Sequence, residues 1–128
     1  MKILDKVEKI AKANLHLPES RFKHFSFITQ RNKIICWGFN QAFKTHPLAL
    51  KFGHRFNCIH SEIDVIKKFP YPLKYICNYQ FINIRIMSNG TCGNAKPCVR
   101  CLSLLNHFGI SDIIYSTKRG FSNGTIYY

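Results

Sequence analysis

The chain has 128 residues, 46% of them hydrophobic and 14% aromatic, enough for one domain with its own core and too few for two ordinary ones. Nineteen Lys and Arg against six Asp and Glu give a formal charge of +13, which attracts nucleotides and nucleic acid without regard to function. No run approaches the ~18 apolar residues of a membrane span, the charge-mixed N-terminus lacks a signal peptide's apolar stretch, and five Pro with seven Gly do not make a disordered chain. The expectation is a single domain over residues 1–128, intracellular and cytoplasmic, with no membrane contact.

In chain order, Ile3, Leu4, Val7, Ile10 and Ala11 are spaced for one face of an amphipathic helix over residues 3–14, which Pro18 ends. Residues 22–29 are aromatic and β-prone. A polar turn at Gln30, Arg31 and Asn32 leads into a second apolar run, 33–37, so the two form a hairpin. Residues 38–57 read as a long, irregular and functional loop. Ile59, Ile63 and Ile66 predict a second helix, residues 60–69, stopped by Pro70 and Pro72. Along residues 80–88, Ile82, Ile84 and Ile86 alternate with Phe81, Asn83, Arg85 and Met87, a strand with one strongly apolar face. After a Gly- and Asn-rich loop at 89–97, a third helix runs from 98 to 108 and closes at Gly109. A short buried strand at 112–116, a Ser122-Asn123-Gly124 turn and a last run at 125–128 complete the order, which is that of an α/β sheet with helices on its faces.

The charge is weaker evidence than its size. Thirteen of the basic residues are Lys, and Ile, Phe, Asn and Tyr are abundant too, so part of the excess follows AT-rich codons rather than a polyanionic partner. The six cysteines are not read as a disulfide framework. Cys36 and Cys77 sit in apolar or aromatic surroundings, as buried free thiols do, and Cys98 with Cys101 forms a Cys-x-x-Cys pair suited to metal or redox chemistry in a reducing compartment.

Two helix starts carry the chemistry. His60, Ser61 and Glu62 open the second helix; Pro97, Cys98 and Cys101 open the third, where Pro97 suits a helix start because its missing N–H costs little there. His60 and Glu62 point about 200° apart on a helix, yet both reach a point beyond its N-terminus. If the starts converge, one imidazole and two thiolates meet, a three-ligand set that leaves zinc a fourth position for water. Zinc would bring that water's pKa toward ~7, and Glu62 would shuttle its protons. A purely structural zinc site would need a fourth protein ligand, for which Cys92, Cys58, His54 and His107 are candidates and Cys92 the nearest to the motif. A thioredoxin-like pair would leave His60 and Glu62 unexplained.

His-x-Glu followed by Pro-Cys-x-x-Cys resembles the signature of the zinc-dependent cytidine and deoxycytidylate deaminase superfamily, and His60, Glu62, Pro97, Cys98 and Cys101 match it position by position. The resemblance implies a three-layer α-β-α sandwich around a mixed five-stranded sheet. It implies Zn2+ on His60, Cys98 and Cys101, hydroxide attack at C4 of a cytosine-type ring, and Glu62 carrying protons to N3 and then to the leaving amine. It also implies substrate contacts from the backbone carbonyls of Ser61 and Pro97 and from Asn40, which matches an asparagine that touches sugar or base. Trp37 and Phe39 are placed either to stack on a base or in the core.

The substrate expected is a free cytosine-containing nucleoside or nucleotide. Ala42 stands where the free-nucleoside branch usually carries Glu, so the match to that branch is partial. Too few residues follow Ser116 for a crossover helix and a parallel strand, so the last two strands should form an antiparallel hairpin, as in the nucleoside branch and some toxin-type deaminases. Lys44, His46, Lys51, His54, Arg55, Lys118 and Arg119, interleaved with Phe43, Phe52, Phe56 and Phe121, keep single-stranded nucleic acid open as a partner, either for an editing enzyme or for an idle, zinc-stabilised binding module; a solvated basic surface is the plainer reading. Assembly into a homo-oligomer is compatible with all of these.

Overall fold

The computed structural model describes residues 2–18, 23–42, 47, 51 and 58–123. Helix α1 (Ile3–Ala13) is followed by strands β1 (Lys23–Gln30) and β2 (Lys33–Phe39), then by β3 (Gln41–Ala42) and β4 (Cys58–Ile59). Helix α2 (Ser61–Lys67) leads through a 3-10 turn (Leu73–Asn78) into β5 (Gln80–Ile86) and the short β6 (Cys92–Gly93). Helix α3 (Val99–His107) and strands β7 (Ile113–Thr117) and β8 (Gly120–Asn123) follow.

The main sheet has the order β2-β1-β5-β7-β8. Its β5–β7 pair is parallel, with α3 as the crossover between them, and the β1–β2, β1–β5 and β7–β8 pairs are antiparallel. β6 adds to the end of β5, antiparallel, opposite Arg85 and Ile86. This is the expected mixed α/β sheet with an antiparallel last pair.

Alternation along the strands sorts the side chains into two cores. Phe25, Phe27, Ile82, Ile84 and Ile86 pack on Val7 and Ala11 of α1. Ile28 and Phe81 turn the other way, onto Ile63 and Ile66 of α2 and Leu104 and Leu105 of α3. A sheet covered on both faces gives three layers. The apolar Ile82-Ile84-Ile86 face read from sequence is the α1 face, and Asn83 and Arg85 lie on the face shared with α2 and α3.

Several sequence expectations shift. The last hairpin turns at Lys118 and Arg119, not at 122–124: Thr117 Oγ1 accepts the Arg119 N–H at 3.2 Å and donates to the Gly120 carbonyl at 3.0 Å, closing the turn one strand earlier. Residues 122 and 123 therefore lie in β8, and the expected run at 125–128 lies outside the described residues. The loop expected at 38–57 starts later, because Gly38 and Phe39 continue β2, and β3 pairs with β4 across its ends. Trp37 stacks with Phe27 at 6.1 Å and packs, with Phe39, in the α1-side core, so neither faces the helix starts that carry the motifs. Cys77 is exposed on the 3-10 turn rather than buried, since only Ile76 of that turn points inward. The five cysteines whose side chains are described are all free.

The segment before the site is pinned by one carboxylate. Asp64, fully buried, accepts the Phe39 N–H at 3.0 Å and Gln41 Nε2 at 2.7 Å, and pairs with Lys67 and Lys68. Gly38 lets α2 come this near: a Cβ there would lie 2.7 Å from both Asp64 Oδ2 and the Val65 nitrogen.

Candidate metal centre and active site

Both motif-bearing segments end at helix N-termini on the α2/α3 side of the sheet. His60 is the N-cap of α2 and Cys98 the N-cap of α3. Pro97 lies one position before the cap and is buried there. Cys98 caps with its own sulfur, which accepts the Cys101 N–H at 3.4 Å. That bond holds the two thiols of the Cys-x-x-Cys pair on one side of the helix start.

The two starts converge. One ligand atom from each of His60, Cys98 and Cys101 lies within 4.8 Å of the others, and Cys101 Sγ is 3.3 Å from His60 Nδ1. A tetrahedral zinc with Zn–S near 2.3 Å needs sulfurs about 3.8 Å apart, so the spacing fits. Among the described residues these three are the one group of His, Cys and acidic side chains placed to share an ion. Cys101 is buried, His60 half-buried and Cys98 exposed, which leaves one side of the cluster open.

The protons report the same crowding. Hydrogen bonds from the Cys101 thiol and from His60 draw Cys98 down to about 3. Its partner Cys101 is pushed far up, first by that bond to Cys98, then by burial and the charge of Glu62. His60 is raised, chiefly by its bond to Cys98 and against the effect of burial. The three groups thus hold protons between them that a zinc ion would displace.

Glu62, 6% exposed, sits in the first turn of α2, near enough to Cys101 for its carboxylate to hydrogen-bond that thiol. Its Oε1 accepts the Ser61 hydroxyl at 3.0 Å. Asn40, just after β2, is fastened to β1: its Oδ1 accepts the His24 N–H at 3.0 Å and its own N–H donates to the His24 carbonyl at 3.2 Å. Of the residues read from sequence, His60, Glu62, Cys98 and Cys101 are brought together, Ser61 and Pro97 flank them, and Asn40 stands at the neighbouring strand end.

Cys92 does not join the cluster. Its thiol donates to Glu8 Oε1 of α1 at 3.2 Å, on the other face of the sheet, and burial followed by that bond raises it to about 11. His107 lies at the far end of α3, edge-on to Phe108. His54 and the side chain of Cys58 lie outside the described residues, as do Lys44, His46, Arg55, Phe43, Phe52 and Phe56 of the expected strand-binding loop. Lys51, Lys118 and Arg119 are exposed.

Sequence reading missed four residues beside the site. Ser26 of β1 faces Asn83 of β5 across the sheet, and His24 faces Arg85. Ser26 lies 2.7 Å from Ser61, and His24 senses the charges of Glu62, Arg85 and His60 while burial holds its imidazole below 6.5. The available signal was a polar residue at every second position of two otherwise apolar strands.

The family model for the cytidine and deoxycytidylate deaminase zinc-binding region matches residues 2–117. The chain belongs to that family. Solved structures agree on the fold. Cytidine deaminase from Burkholderia pseudomallei superposes with a TM-score of 0.59 at 15% identity, over 95% of this chain and 89% of that one. The enzyme from Mycobacterium leprae gives 0.52 at 19% identity, over 94% and 89%. That from Mycobacterium tuberculosis gives 0.52 at 17%, over 94% and 87%. No curated protein is significantly similar in sequence. No helix of the described residues is long and apolar enough to cross a membrane.

Proposed function

We propose that this chain is a zinc-dependent hydrolytic deaminase that converts a cytosine-type base to uracil with release of ammonia, acting on a free cytidine or deoxycytidine nucleoside or nucleotide. The observation that carries the reading is the buried carboxylate of Glu62 against the His60, Cys98 and Cys101 cluster. A zinc that only stapled the fold would want a fourth protein ligand and would have no use for a carboxylate desolvated beside it.

His60, Cys98 and Cys101 would hold the metal. When bound, zinc supplies a water acidified toward ~7 and hence a nucleophile at neutral pH. Glu62 would carry the proton released from the water to ring N3 and a second one, from the hydroxyl added at C4, to the departing amine, which leaves the C4 carbonyl. The carbonyls of Ser61 and Pro97 orient that amine, and Asn40, braced on the His24 backbone, meets the sugar or base. The cysteine on the exposed side, Cys98, leaves the approach to C4 open.

The test incubates zinc-loaded protein with cytidine, deoxycytidine, their monophosphates and a cytosine-containing single-stranded oligonucleotide, beside Glu62→Ala. Deamination adds about 1 Da to the product. We expect the shift in at least one small molecule and its loss in Glu62→Ala with zinc retained. A shift in the oligonucleotide alone would replace this reading with an editing enzyme, and no shift anywhere would replace it with a binding module.

A further inference from the structure

We propose that the pole of the molecule opposite the metal-ligand cluster binds single-stranded nucleic acid, through the exposed rings of Tyr71 and Tyr75 and the lysines among them. This surface lies apart from the site described above and does not depend on the deaminase reading. Helix α2 runs about 10 Å from its start at the cluster to Lys67, and β5 about 20 Å from Gln80 to the segment that leads into Pro97 and Cys98. Residues 68–79 join the far ends of those two elements, so a strand bound there lies away from the metal ligands. The chain is basic throughout, so charge alone singles out no surface. The exposed aromatics do. Among the described residues four large hydrophobic side chains are exposed, and three of them lie between positions 71 and 75: Tyr71 at 50%, Leu73 at 42% and Tyr75 at 47%. Apolar side chains exposed singly need no explanation, but a contiguous set marks a contact surface.

Tyr71 is held in place from behind. Pro70 and Pro72 fix the backbone on either side of it. Its ring stacks on Tyr79 with the planes 16° apart, and Phe69 meets both rings edge-on. Phe69 is buried and Tyr79 half-buried, so the two anchor a ring that stays half exposed. A ring already fixed loses little freedom when a base stacks on it. In the 3-10 turn three residues make one revolution, so Tyr75 stands over Asn78. Asn78 and Gln80 line a polar cleft of about 200 Å3 with Thr29, Arg31 and Asn32 at the β1–β2 turn. The surface therefore runs from Tyr75 and Tyr71 past Tyr79 to the exposed Arg31.

Charge selects the occupant. Residues 65–111 include no Asp or Glu. Lys67 and Lys68 share the one buried carboxylate of Asp64, which leaves a net positive charge, and Lys74 holds its Nζ 5.1 Å from the centroid of the Tyr75 ring. Asp112, the acidic residue at the cleft, accepts from Gln80 Nε2. Aromatic faces set beside ammonium groups suit the alternating bases and phosphates of a single strand. A second copy of this chain would instead bring the same positive charge to the contact.

The probes are labelled oligouridylate and oligothymidylate of about 12 nucleotides, which contain no cytosine, titrated with zinc-loaded protein by fluorescence anisotropy at about 0.1 M salt. We expect the wild type to bind, and Tyr71→Ala and Tyr75→Ala, neither of which alters the charge, each to bind about 10-fold more weakly. Lys74→Gln should flatten the log–log salt slope by about 0.7. Excess cytidine should not displace the strand, and both tyrosine variants should turn over any small substrate as the wild type does. Wild-type affinity in either tyrosine variant overturns the proposal, because diffuse charge then accounts for the binding. Displacement by cytidine overturns it too, by placing the strand in the metal site, and so does a wild type that does not bind. Self-association abolished by both substitutions, with oligonucleotide affinity unchanged, assigns the face to a second copy instead. If Tyr71→Ala does not fold, Tyr75→Ala decides alone. A protein inactive on every nucleoside and nucleotide that still binds the oligomers in this way would sink the deaminase reading and leave this surface standing.

Discussion

His24 links the site to solution pH. Burial is the main cause of its low pKa, with the charges of Arg85 and His60 acting in the same direction and Glu62 opposing. The unfolded chain takes up a proton on this imidazole near 6.5 that the folded chain refuses until the pH is lower, so the folded state loses stability as pH falls below about 6.5. His24→Gln should flatten that part of the slope, read as the urea midpoint of zinc-loaded protein between about pH 5 and 8; an unchanged slope would mean that His24 binds its proton equally in the folded and the unfolded chain. Asp64 is a second residue whose role is purely local. Removing its carboxylate strands the Phe39 N–H and two lysines, which are partly exposed and can rehydrate. Asp64→Ala should therefore cost about 2–3 kcal/mol, below the full penalty of an orphaned buried charge, and chemical denaturation measures it.

Among the elements, α3 shows how much a local sequence signal can settle. Gly109 adopts a φ of 72°, its N–H bonds the Asn106 carbonyl at 3.0 Å, and the Ile110 N–H bonds that of Leu105 at 3.0 Å, the double bond of a Schellman stop. Gly109→Ala should destabilise by about 1 kcal/mol, since the left-handed backbone disfavours a Cβ and that atom would also come 3.3 Å from Cys77 Cβ. A thermal midpoint equal to wild type would contradict this. The other end of the same helix was readable as a start but not to the residue. The Cys98 sulfur takes the cap position, so the helix read from residue 98 begins at Val99, and sequence offers no cue that a thiol rather than a hydroxyl will cap. The last hairpin failed for a similar reason. Ser122-Asn123-Gly124 is the stronger turn signal, but β7 needs a partner along Ile114 to Thr117, and only a turn at Lys118 and Arg119 brings one alongside. Tertiary pairing overrode local turn preference.

For the whole molecule, periodicity sufficed to find the three helices named above and four of the five principal strands, because each buries one face against a neighbour. The candidate metal-ligand set was equally legible, since its residues come as two short motifs at helix starts. Ser26, Asn83, His24 and Arg85 were not, for they are brought to the site by strand pairing between β1 and β5, and no spacing within either strand reveals its register. Zinc should tie the two helix starts together and so stabilise the whole. With the metal at about 100 times its Kd, the linkage is about 2.7 kcal/mol, or roughly 10 °C in Tm for a chain of this size. Chelation should lower Tm by that order in the wild type and leave Cys101→Ser unmoved; an equal drop in both would locate the metal elsewhere.

Whether zinc works here or merely staples the fold is decided by what occupies its fourth position. X-ray absorption at the zinc edge of the loaded protein reads the ligand shell directly. We expect two sulfurs at about 2.3 Å, from Cys98 and Cys101, and two light atoms at about 2.0–2.1 Å, one of them the His60 nitrogen and the other exchangeable with solvent. A third sulfur in the shell would mean that another cysteine closes the site, and would contradict a catalytic centre built around Glu62.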